Sequence, residues 1–199
     1  VTRRRLVIPL AATTVLAVLA AGAWLLLGRD RPRPAVFRAE PTSALYAVID
    51  SRQADTRPLT LDEVFTPANR TLGPLSRVSA EEFDDCGELL WGADAAGCTQ
   101  ALRATYTGPS GAGQFVIFNL PDGRSADALV AGLAKDGFVQ QAVSFDPRHS
   151  RAAVRALGHY VTVSWAGAAG PRAATELVAN LIALDRLGHV VQSRVLAAG

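Results

Sequence analysis

The sequence predicts an α+β fold: an N-terminal transmembrane helix followed by a mostly antiparallel sheet with helices packed on one face. Three observations predict it. An uncharged apolar run fills residues 6–27. Period-two alternation marks strands joined by turn-rich hairpins, and apolar positions at helical spacing recur between them.

The apolar run comes first in the chain. Arg3, Arg4 and Arg5 introduce it, and 22 residues at about 1.5 Å each span roughly 33 Å, against ~30 Å of bilayer hydrocarbon. Ala21-Gly22-Ala23 has the small-x-small form of a signal cleavage site, but Trp24, Leu25, Leu26 and Leu27 continue the run past it. An uncleaved anchor is therefore expected. Arg29, Arg31 and Arg33 nearly balance the arginines ahead of the run. A long C-terminal domain, however, translocates largely regardless of charge. The expected order is a cytoplasmic tail (1–5), a transmembrane helix (6–27), a proline-rich linker (28–44) and an extracytoplasmic α+β domain (45–199). The localisation expected is the cell membrane, single-pass.

Charge narrows the partners. The chain carries 20 Lys and Arg against 18 Asp and Glu, a formal +2. Residues 1–33 hold six arginines and one aspartate, so the remainder is about −3. No basic stripe survives in the domain, which argues against nucleic acid as a partner. The arginines beside the apolar run suit the headgroups of the lipid bilayer.

The domain's elements follow in order. Residues 45–50 read as a short strand. Thr60 and Glu63 have capping-box spacing and open a short helix within 58–65. Ser79-Ala80-Glu81-Glu82 reads as a second capping box, leading into a helix through Leu89 and Trp91. Residues 101–107 alternate cleanly, with Leu102, Ala104 and Tyr106 on the apolar face. Residues 115–120 are apolar on both parities, as in a central strand. The Gly/Pro/Ser segment 108–113 joins them as a hairpin. Ala126, Leu129, Val130, Leu133 and Ala134 define a helix stopping at Gly137. Residues 138–145 are a strand candidate, and His159, Val161, Val163 and Trp165 share one face of another. Gly170-Pro171 opens a last helix with Leu177, Val178, Leu181 and Ile182 toward the core. Gly188 ends it, leaving 190–198 as a final strand or a packed tail.

Cys86 and Cys98 are the two cysteines. Outside the cytoplasm such a pair most often forms a disulfide. A metal pair and a redox pair are the alternatives, although the spacing is not Cys-x-x-Cys and no histidine or third cysteine lies nearby. A bridge would staple helix to sheet.

Candidate catalytic groups are few. Gly108-x-Ser110-x-Ala112 misses the Gly-x-Ser-x-Gly elbow, and its flanks read strand-turn-strand. Glu81, Glu82, Asp84, Asp85 and Glu88 lack the alternation of a calcium loop and suit the first turn of a helix. His149, His159 and His189 have no partner at metal spacing; His159 shares the apolar parity of its strand, and His149 sits in a charged loop. No catalytic, cofactor-binding or metal residue is assigned, and no cofactor is expected.

Arg57-Pro58-Leu59-Thr60-Leu61-Asp62-Glu63-Val64-Phe65, Asp85-Cys86, the stretch from Ala96-Gly97-Cys98-Thr99-Gln100 to Arg103-Ala104-Thr105-Tyr106, and Gly158-His159-Tyr160 share one likeness. Over roughly residues 57–165 the chain resembles an uncharacterised family of actinobacterial single-pass membrane proteins. The resemblance implies a membrane-anchored extracytoplasmic domain with a two-cysteine bridge, and no assigned reaction or ligand. The function expected is therefore non-enzymatic: an extracytoplasmic domain that binds or organises a cell-envelope protein or ligand. The alternatives are an envelope hydrolase using His149, His159 and the acidic cluster, and an accessory sensory subunit of a membrane complex.

Overall fold

Strand β6 (Gly111–Asn119) and strand β9 (Tyr160–Ala168) are buried along their whole length, and that decides the architecture. Val116 and Phe118 of β6 and Val161, Val163 and Trp165 of β9 face one core. Phe115, Ile117, Tyr160, Ala166 and Ala168 face a second. Strands apolar on both parities require cover on both sides. The computed structural model describes residues 31–170 and 174–198. The chain divides into two units, 1–31 and 32–199, and nearly all described residues belong to the second.

The sheet has seven strands in the order β1-β8-β9-β6-β5-β3-β2. They are β1 (Val36–Glu40), β2 (Thr71–Leu72), β3 (Leu75–Phe83), β5 (Gln100–Gly108), β6, β8 (Ser150–Leu157) and β9. Every neighbour pair is antiparallel except β1 and β8, which run parallel with Val36 beside Arg151 and Glu40 beside Arg155. Strands β4 (Leu90–Trp91) and β7 (Phe138–Val139) form a separate two-stranded ladder. The α+β class and the mostly antiparallel sheet are thus observed.

Helices cover both faces of the sheet rather than one. Helix α2 (Gly123–Lys135) buries Ala126, Leu129, Val130 and Leu133 against the first core. Helices α3 (Ala174–Asp185) and α4 (His189–Ala198) lie over the second, with Leu177, Leu184 and Val191 buried there. Helix α1 (Leu61–Val64) is a single turn, and its expected cap is present: Thr60 accepts from the Glu63 N–H. On α3 the inward positions are Leu177, Leu181 and Leu184, whereas Val178 and Ile182 are exposed.

Several local expectations give way to pairing elsewhere. Residues 79–83 are the end of β3, not a helix start, because the register sets Glu81 opposite Arg103, and the two form an ion pair. A 3-10 turn, Cys86–Leu89, follows. Residues 43–49 form a kinked 3-10 turn rather than a strand, with Ile49 buried in the second core. Residues 36–40 of the proline-rich segment are β1. Residues 190–198 are helical. Of residues 138–145, the first two pair, with β4. The apolar run 6–27 lies outside the described residues; among those, no helix is long and apolar enough to cross a membrane.

The Cys86–Cys98 disulfide is present, with Cα atoms 6.1 Å apart. It ties the 3-10 turn before β4 to the loop before β5, beside the first core. Arg33 reaches the C-terminal end of α2, donating to the carbonyls of Leu133, Ala134 and Lys135 at 3.0–3.2 Å. A guanidinium there satisfies orphan carbonyls and complements the helix dipole.

Candidate functional site

Several places among the described residues gather polar or exposed apolar side chains. The first is a groove between the 3-10 turn Ser43–Ile49 and helix α4. The turn is kinked at Tyr46, and Leu45 just before the kink is 79 % exposed. Opposite it, α4 presents Gln192, Val195 and Leu196, spaced so that they share one helix face. Leu196 is 84 % exposed. The space between has a volume of about 450 Å³.

The groove continues, through Leu45, Tyr46 and Gln192, into a charged cleft of about 200 Å³. Its floor is built by strand register. Glu40 and Arg155 are paired neighbours on the parallel strands β1 and β8, and Arg155 Nε lies 2.7 Å from Glu40 Oε2. Arg155 Nη1 donates to Asp185 at the end of α3. Thr162, the partner of Arg155 on β9, and His189 at the start of α4 complete the wall. Burial raises the Asp185 pKa above the ordinary carboxylate value; Arg155 opposes that shift, and Glu40 adds to it.

The second place is a cleft of about 510 Å³ at the opposite end of the sheet, beside the β5–β6 turn. Ser144, Asp146 and His149 line it. His149 Nδ1 lies 3.1 Å from Asp146 Oδ2, but Arg148 grips both oxygens of the same carboxylate. Hydrogen bonds from Arg148 hold Asp146 far below the usual carboxylate range. That aspartate is committed to an arginine on the exposed surface.

The third is buried. Arg194 of α4 is 3 % exposed and donates to Asp55, to both oxygens of Glu63, and to the carbonyls of Arg57 and Pro58. Hydrogen bonds to Glu63 raise its pKa despite burial. Tyr160 donates to the second oxygen of Asp55 at 2.8 Å. Next to it His159 is fully buried, its ring centroid 3.9 Å from that of Tyr160. Both the His159 N–H and Nδ1 reach the Ile49 carbonyl, so Nδ1 carries the proton. Nε2 is buried without a hydrogen-bond partner among the described residues. This network fastens α4 to the segment 55–63.

The residues singled out from sequence are scattered. His149 and His159 lie at opposite ends of β8, one exposed and one in the interior. Glu81 and Glu82 are on β3, engaged by Arg103 and Gln100. Asp85 caps the 3-10 turn by accepting from the Gly87 N–H. Ser110 is buried in the hairpin turn, where Asn180 donates to its Oγ at 3.2 Å. Sequence reasoning passed over Glu40, Arg155 and Asp185, and also Asp55 and Arg194. The available signal was a lone arginine in each of two apolar stretches, 152–157 and 190–198, since a buried charge requires a partner. Among the described residues no three metal-ligating side chains converge. The chain matches no protein-family model, no curated protein and no solved structure.

Proposed function

We propose that the chain is a membrane-anchored extracytoplasmic binding domain whose recognition surface is the groove between the 3-10 turn and α4. The observation that carries this is the pair of leucines, Leu45 and Leu196, flanking the groove in open solvent. An apolar surface held open beside a charged cleft is characteristic of a binding face, where contact removes the apolar area from water and polar groups fix the orientation. The uncharged run 6–27 supports the anchor, and the disulfide supports an oxidising compartment. No reaction is assigned to it; its role is to hold or organise a cell-envelope component.

Two measurements test this. Intact cells are treated with a membrane-impermeant maleimide, with and without prior reduction; two tags appearing only after reduction place the domain outside. Labelling of free thiols only after lysis, without reductant, overturns the location. A photo-crosslinking residue is then placed at position 196, and at position 78 on the far edge of the sheet as control. Discrete adducts from 196 and none from 78 are expected. Equal patterns from both remove the groove as the recognition surface.

A further inference from the structure

We propose that the end of the domain where the chain enters it is a docking surface for anionic phospholipid headgroups, an assignment that rests on the membrane anchor proposed above.

Three contacts fix the entering chain. Arg33 donates to the carbonyls that end α2. The Ala35 N–H donates to the Pro147 carbonyl at 3.1 Å. Val36 then pairs with Arg151 at the start of β8. Much of the linker expected over 28–44 is therefore held on the domain. Only residues 28–32 separate the uncharged run from Arg33. From Leu27 to Arg33 the extended chain spans at most about 21 Å, and the headgroup layer itself takes up about 5–7 Å of that. So short a tether brings this end of the domain to the headgroups.

Charge fits that neighbour. The elements touched by the entering chain carry Lys135 and Asp136 at the end of α2, Asp146 and Arg148 in the loop before β8, and Arg151 on β8. With Arg33 these are four cations and two carboxylates. Lys135 pairs with Asp136 and Arg148 with Asp146, but the cations are the more exposed partners, 82 % against 68 % and 86 % against 34 %. Pairs so open to water are weak. Arg33 and Arg151 have no carboxylate partner among the described residues. Val36, beside Arg151, adds half-exposed apolar area at the same end.

The far end has the opposite sign. Val36, Gly111 and Ser150 mark the entry end of the strands, and Glu40, Asn119 and Leu157 the other. Beyond that other end lie Asp50, Asp84, Asp85 and Asp122, all exposed, with Arg52 and Arg124 as the cations there. A charge distribution polarised along the strands turns its basic end toward an anionic surface. A polyanion in solution would meet the same cations, but only the bilayer is held beside them by the tether. The groove of Leu45 and Leu196 continues into the cleft at Glu40 and Thr42, the far end of β1, and is left clear of the lipid.

The test uses the full chain reconstituted in phosphatidylcholine vesicles, with or without phosphatidylglycerol, each containing a headgroup spin label as quencher. A fluorescent amino acid replaces Ser144 at the basic end or Gln53 at the acidic end, both exposed. With phosphatidylglycerol present, quenching at position 144 is expected to be about two-fold stronger than at 53, and the difference to shrink without that lipid or in about 0.5 M salt. Replacing Arg148 and Arg151 together by glutamine is expected to halve the difference, whereas replacing both by lysine retains it.

Equal quenching at the two positions, or stronger quenching at 53, overturns the docking surface and leaves the anchor standing. Stronger quenching at 144 that ignores phosphatidylglycerol, salt and the glutamine variants is the work of the tether alone and overturns headgroup recognition. A chain that floats with neither vesicle in a density gradient removes the anchor, and this assignment with it. Crosslinking from position 196 reports on the groove separately.

Discussion

Arg194 and Asp55 meet at 2.8 Å inside the domain, 3 % and 9 % exposed in side chain. Removing one partner of such a pair strands the other in a medium that solvates it poorly. Arg194→Met is expected to lower stability by about 3 kcal/mol, with Asp55 left buried and uncompensated. The triple variant Arg194→Met, Asp55→Asn, Glu63→Gln removes the stranded charges and recovers a substantial part of that loss. Urea unfolding midpoints at constant slope check both outcomes.

His159 sets a pH dependence. Its folded pKa lies below the ordinary histidine value because burial disfavours the charged ring, although the Ile49 carbonyl works the other way. A depressed histidine pKa means that below about pH 6.5 the unfolded chain takes up a proton that the folded chain refuses. Stability is therefore expected to fall as the pH drops from about 6.5 toward the folded pKa. Asparagine can reproduce the Nδ1 donor, so His159→Asn keeps the bond to Ile49 while losing the titration. Thermal melts between pH 7 and pH 5.5 are expected to decline more steeply for the wild type than for His159→Asn.

The Cys86–Cys98 bridge closes a short loop, with a sequence separation of 12. The chain-entropy relation gives about 3 kcal/mol for a loop of this size. The double variant Cys86→Ala, Cys98→Ala is expected to lose about that much, and dithiothreitol to lower the wild-type melting temperature without affecting the variant.

Two glycines have opposite expectations. Gly158 has φ +63°, and a Cβ there would lie 2.3 Å from the Ile49 carbonyl oxygen that His159 also engages. Gly158→Ala is expected to cost more than about 2 kcal/mol through backbone strain and displacement of that carbonyl. Gly132 lies in α2, and a Cβ there would meet Ala93 at an ordinary 3.6 Å. Gly132→Ala is expected to stabilise by about 0.5–1 kcal/mol, since helical glycine carries an entropic cost. Denaturant titration of both variants compares the two signs directly.

What could be read in the sequence depended on whether a signal was local. The β5–β6 hairpin was legible because alternation in 101–107 ends at Gly108-Pro109-Ser110; the turn itself is Pro109-Ser110, and Gly111, Ala112 and Gly113, expected in the loop, already pair within β6. Helix α2 was legible because its apolar stripe is uninterrupted and Gly137 closes it, the Gly137 N–H reaching the Gly132 carbonyl. The second capping box misled because the same glutamates also serve β3, where Arg103 awaits Glu81 across the ladder. A cross-strand pair over twenty residues away is invisible to a window of seven. One-sided cover was expected because the double parity of 115–120 was read as centrality within the sheet, without its further demand for a second layer. The candidate groove was the least legible feature. Its floor joins Glu40, Arg155 and Asp185, brought together by a parallel pairing that no local spacing encodes.

That parallel pairing also determines where the domain can be severed. Strand β1 forms the outer edge of the sheet, and Arg33 just before it holds the end of α2. A protease cutting after residue 41, or a truncated secreted form beginning there, would lift the rim off the sheet. The backbone of β8 would then lie open as a template for any other extended chain, the usual beginning of aggregation. The segment expected as a linker thus doubles as a guard rail: releasing the domain intact requires a cut upstream of Pro32.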